Sequence, residues 1–63
     1  MNYTKIKDFK NGAWTVFDKS GVAPLYVVKL YTPYGELHDK IKCYEYSEAR
    51  NYLRCFNSIA KQF

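Results

Sequence analysis

Cations outnumber acids in this chain, ten against six, and their spacing suits holding an anion rather than making or breaking bonds. At 100° per residue of helix, Arg50, Arg54 and Lys61 fall within about 40° of one another, with Asn57 beside them and no acid in the stripe. A second group emerges if the segments flanking Pro33-Tyr34-Gly35 pair as antiparallel strands about Tyr34 and Gly35. Lys29 then faces Lys40, Val27 faces Lys42 and Tyr31 faces His38 on one side of the sheet. Like charges directly opposed across strands repel by a few tenths of a kcal/mol or more, and a bound anion would relieve them. Tyr31, with Phe17 and Tyr44 as further candidates, would place flat rings among those lysines, a combination that suits phosphate contact with base stacking. The plainer alternative for both groups is a solvated surface, with lysine also guarding the sheet against edge pairing.

Bond-making chemistry is poorly provided for. His38 is the single histidine, and no Cys/His cluster has metal-ligand spacing, so no zinc site is expected. His38 and its neighbour Asp39 point to opposite faces of a strand, and Cys43 sorts to the face away from His38, so neither a relay nor a cysteine nucleophile is assembled. Gly12, Gly21 and Gly35 all sit in turns, not in a phosphate-cradling loop, and the six carboxylates show no convergent pair. The expectation is a non-enzymatic protein with no catalytic residue, no metal, no cofactor and no small-molecule substrate.

Charge and size narrow the partners. The formal net charge is +4 over 63 residues, enough for salt-sensitive contact with nucleic acid without demanding it. Lysine outnumbers arginine eight to two, which favours phosphate attraction over bidentate base reading. No apolar run reaches the length of a membrane span, and Met1-Asn2-Tyr3-Thr4-Lys5 lacks the apolar stretch of a secretory signal. A leading methionine fits a whole small gene product. Cys43 and Cys55 are too few for a secreted disulfide scaffold, and both are expected as buried free thiols in a reducing, cytoplasmic setting. Seven Tyr, four Phe and one Trp supply the dense core that so short a chain needs.

The elements that must position these residues can be read from periodicity. Ala49, Tyr52, Leu53, Phe56, Ile59, Ala60 and Phe63 occupy an arc of roughly 120°, predicting an amphipathic helix over 47–62 with Ser47 as N-cap and Glu48 in its first turn. Asn11-Gly12 predicts a two-residue type I′ turn that pairs Phe9 with Trp14, Lys7 with Val16 and Ile6 with Phe17. Strands are predicted at 4–9, 13–18, 25–32 and 37–44, the first of them lysine-rich and prone to fray. In the central hairpin, Tyr26, Val28, Leu30, Ile41 and Cys43 share the face that the helix covers. In the second strand Trp14 and Val16 are expected inside. The fold class is therefore α+β: one domain, 1–63, in which a small antiparallel meander of three to four strands carries a C-terminal helix across one face.

The segment Lys42-Cys43-Tyr44-Glu45-Tyr46-Ser47-Glu48-Ala49-Arg50 resembles the strand-to-helix junction of two families of DNA-binding domains. These are the integrase arm-binding domains and the plant ethylene-response-factor type, which lay a three-stranded sheet in the major groove. The likeness spans roughly Trp14 to Phe63 and implies DNA contact through the sheet, although those sheets rely on arginine where this one offers lysine. The small, aromatic-rich chain also looks like phage-encoded proteins that bind and inhibit host machinery. The functional expectation is non-specific nucleic-acid contact through Lys29, Tyr31, His38, Lys40 and Lys42, with Arg50, Arg54 and Lys61 as a second strip. The alternative is a protein-interaction module or an inhibitor of a larger host protein, anchored by tyrosines such as Tyr31, Tyr34, Tyr44 and Tyr46. A homodimer through the open sheet face, using Val27 and Tyr31, is a third route; no membrane contact is expected.

Overall fold

Alternation governs the centre of the molecule. Along the strand Tyr26–Tyr31, Tyr26, Val28 and Leu30 are buried while Val27, Lys29 and Tyr31 are half-buried on the other side. The computed structural model describes residues 3–63, and this strand is the third of four: β1 (Tyr3–Asp8), β2 (Trp14–Lys19), β3 (Tyr26–Tyr31) and β4 (Leu37–Cys43), followed by the helix α1 (Tyr46–Ala60). Met1 and Asn2 lie outside the described residues. The strands form one antiparallel meander in the order β1-β2-β3-β4, and α1 lies across one face, an α+β fold. The face under the helix is called inner below, and the opposite face outer.

The core is inner-face side chains of β2, β3 and β4 meeting the apolar stripe of α1. Phe17, Tyr26, Val28, Leu30 and Cys43 from the sheet pack with Ala49, Phe56 and Ala60 from the helix. Ile41 and Leu53 complete it from the margins. The helix rests mainly on β3, reaches β2 and β4, and leaves β1 uncovered.

The β3–β4 register follows the alternation argument: Leu30 pairs with Asp39, Val28 with Ile41, Tyr26 with Cys43, Lys29 with Lys40 and Val27 with Lys42. At the turn it departs. Thr32 to Gly35 closes through the Gly35 N–H to the Thr32 carbonyl (3.0 Å), Gly35 adopts φ +85°, and the Thr32 N–H donates to the Glu36 carbonyl. The turn thus has Pro33 second and Gly35 fourth instead of a two-residue Tyr34-Gly35 loop, and it adds a bulge, so Tyr31 pairs with Leu37 instead of His38.

The first hairpin repeats that geometry and overturns two expectations. Gly12 donates to the Phe9 carbonyl (3.0 Å) and Phe9 to the Ala13 carbonyl (2.9 Å); Gly12 has φ +96°, while Asn11 is not left-handed. The loop is thus a three-residue turn ending in a left-handed glycine, not a type I′ turn, which would need positive φ at both Asn11 and Gly12. Pairing moves by one residue: Asp8 faces Trp14, Lys7 faces Thr15, Ile6 faces Val16 and Lys5 faces Phe17. The second overturned expectation is the facing of β2. Thr15 and Phe17, paired with Leu30 and Val28, point inward, whereas Trp14 and Val16 point outward. Phe17 fills the core between Val28 and the helix; Trp14 instead stacks on Tyr31 (4.8 Å, 11° between planes). Val16 is buried even so, flanked by Ile6 and Lys29.

Two further expectations give way. The helix begins at Tyr46, with Glu45 at the N-cap and no side chain capping the first turn, so Ser47 lies inside the helix. Tyr46 is drawn into the first turn by packing, its ring edge-on to Phe17 and Tyr26. Cys43 is buried, but Cys55 is exposed; both thiols are free.

Candidate nucleic-acid interface

The two cationic groups expected from the sequence lie on opposite sides of the sheet. On the outer face, Lys29 and Lys40 are directly opposed, with Lys42 one pair further along. This surface also holds acids. Lys29 lies 4.0 Å from Asp18, whose carboxylate accepts a 2.6 Å hydrogen bond from the Thr4 hydroxyl. Asp8, paired with Trp14, adds a second carboxylate on the same face. Three lysines against two carboxylates leave one net positive charge. Tyr31 offers only part of its ring, since Trp14 covers one side. Val27, the expected dimer contact, is half-buried between Asp18 and Lys42. His38 is not among the lysines: the β4 bulge carries it to the far end of the helix, where its ring meets Phe63 edge-on at 5.1 Å.

The helix stripe acquires partners that sequence reasoning did not supply. Lys5 and Lys7 alternate on β1, and the register places both on the inner face, the one the helix leaves uncovered. A groove of about 200 Å³ separates them from α1, walled by Lys5 and Lys7 on one side and Arg50, Leu53 and Asn57 on the other, with Thr15 and Phe17 as its floor. Arg54 extends the helical wall beside Arg50 and Asn57. Lys61 stands further along, beside Phe9, Lys10 and Asn11. Of the expected strip, Arg50 therefore faces Lys5 and Lys7, Arg54 shares a neighbouring hollow with Arg50, and Lys61 lines a separate one.

No carboxylate lines this groove among the described residues, and Lys5, Lys7, Arg50 and Arg54 have no acidic partner; the salt bridge among those residues is the outer-face pair. Fixed neighbours orient the walls. Lys7 sits over the Phe9 ring at 5.6 Å, which holds the ammonium within the groove. Thr15 is buried, and its hydroxyl donates to the Asn57 amide oxygen at 2.8 Å. That bond occupies the amide oxygen of Asn57, a residue of the groove wall, and leaves its nitrogen as a donor. The groove thus carries three cations on two walls, Lys5 and Lys7 facing Arg50, with Arg54 beside Arg50 in the adjoining hollow. The signal for Lys5 and Lys7 was present as an i, i+2 pair, and the expected register set Lys7 opposite a Val16 expected inside. The errors in register and in the facing of β2 therefore cancel at these lysines, and what the sequence did not supply is the helix wall opposite them.

Among the described residues no group of His, Cys, Asp and Glu is disposed to hold a metal ion, and no helix is long and apolar enough to cross a membrane. In comparisons with known proteins, the chain matches no family model, no curated protein and no solved structure.

Proposed function

We propose that this protein binds nucleic acid non-specifically through phosphate contacts in the groove between β1 and α1. The observation that carries this reading is that Lys5, Lys7 and Arg50 face a common groove, with Arg54 in the adjoining hollow beside Arg50, and no carboxylate lines either. Leaving these like charges together costs stability, and a phosphate chain would remove the repulsion. The outer face, first choice from the sequence, is the weaker candidate because Asp8 and Asp18 offset its lysines. Lysine in β1 and arginine in α1 suit attraction to a backbone; no side chain in the groove is set to read base edges in a duplex.

Charge reversal separates the two surfaces. With a fluorescent oligonucleotide at about 50 mM salt, the pair Lys7→Glu and Arg50→Glu is expected to weaken binding by a hundredfold or more. The pair Lys40→Glu and Lys42→Glu should change it only a few-fold. A larger loss from the second pair would move the site to the outer face, and no binding by the unaltered protein would end the nucleic-acid reading.

A second reading, a module that binds another protein, is favoured by tyrosines with little to do in the fold. Tyr34, at a hairpin tip, is 89% exposed, and Tyr44 is 66% exposed. Tyrosine is enriched at binding hot spots. A partner retained stoichiometrically from nuclease-treated lysate, and lost with Tyr34→Ala or Tyr44→Ala, would support it.

A further inference from the structure

We infer that the groove is built for a single strand, with Tyr3 and Tyr46 as base-stacking platforms at one end; this rests on the reading of the groove as a nucleic-acid site. β1 and α1 run side by side in the same direction. At their starts, Tyr3 and Tyr46 each place a ring 6.2 Å from that of Phe17. At their ends, Asn11, just beyond β1, donates to the Ala60 carbonyl of the last helical turn (2.7 Å). On the helix side the groove between them runs from Arg50 to Asn57, about 10 Å of helix.

The walls are a strand and a helix of one small fold, and the floor is β2, the strand next to β1. A single sugar–phosphate chain can lie between such walls and meet cations from both. A duplex, two such chains with paired bases between them, rests on the rim and reaches fewer of them. The rings give the second, independent observation. Tyr3 is 45% exposed and Tyr46 53% exposed, yet both are anchored by Phe17, so each offers a free ring to a ligand without a new ordering cost. Cations that track a backbone, followed by rings that accept any base, are the two components of sequence-tolerant single-strand binding.

The test compares a labelled twelve-nucleotide oligothymidylate with the same oligonucleotide annealed to its complement, by fluorescence anisotropy at about 20 mM salt. Binding to the single strand is expected to be at least tenfold tighter. Tyr46→Leu and, separately, Tyr3→Leu should each weaken single-strand binding about tenfold while leaving duplex binding and the salt dependence unchanged. Two separate variants guard against one of them disturbing the core, and Lys40→Glu serves as an outer-face control. Equal or tighter duplex binding, or full single-strand affinity in both tyrosine variants, overturns this inference but leaves the nucleic-acid reading standing. Failure to bind either probe overturns the reading beneath it.

Discussion

At the residue scale, Asn11 does more than form a turn. Its amide oxygen accepts the Ala13 N–H at 2.9 Å, and its nitrogen donates to the Ala60 carbonyl at 2.7 Å. One side chain thus ties the first hairpin to the end of the helix, where carbonyls lack helical partners. Asn11→Ala should lower stability by about 1–2 kcal/mol, read as a fall in the urea midpoint at unchanged slope. Cys43 is a second case. Burial, first, and then the hydrogen bond and negative charge of Glu48 push its thiol above its ordinary range. With the folded value raised, the contribution to stability is complete below the ordinary thiol value of about 8.5 and is lost as pH climbs through the folded value. Urea midpoints measured from pH 7 to 10 should decline, and Cys43→Ala should flatten the decline. Neither role was legible beforehand, because the first needs Asn11 to meet Ala60 across the fold and the second needs the chain between β4 and α1 to turn so that Glu48 comes back onto Cys43.

At the element scale, α1 holds the core and β1 does not. Phe56 is buried against the inner face, and Phe56→Ala should cost about 3–5 kcal/mol, comparable to the whole stability of a small domain. Thermal unfolding would show the loss of a cooperative transition near room temperature. β1 is held through its ladder with β2 and has no contact with α1, so its amides should exchange with deuterium well before those of β3. The helix was legible from its apolar spacing, although Phe63 lies beyond α1 and, with Tyr52 and Ile59, stays exposed; the β3–β4 register was legible from the demand that Val28, Leu30, Ile41 and Cys43 share a side. The β1–β2 register was not. Asn-Gly serves both a two-residue and a three-residue loop, and the one-residue difference sends every side chain of β1 to the face opposite a different partner. The N-cap was misplaced for a related reason: the packing of Tyr46 against Phe17 and Tyr26 outweighs the modest preference for serine at a helix start.

For the whole molecule, a formal charge of +4 says little until it is distributed. Lys5, Lys7 and Arg50 in the groove, with Arg54 beside it, predict a logarithmic salt slope near −3 for single strands, about fiftyfold weaker binding at 200 mM than at 50 mM. Titration at several salt concentrations measures that slope, and removal of Arg50 as Arg50→Ala should reduce it by about 0.7. What the sequence by itself determined is whatever depends on local period and composition: an α+β meander, one amphipathic helix, the inner face of the central hairpin, the opposed Lys29 and Lys40, and the stripe of Arg50 and Arg54. What only the tertiary structure decided is which surfaces face one another. The stripe and the lysines of β1 are more than forty residues apart in the chain, and they meet across a groove because the first turn holds three residues rather than two and because the helix stops short of the outermost strand. Both are matters of register and packing, in which a shift of one position reverses a face while leaving the pattern along the chain unchanged.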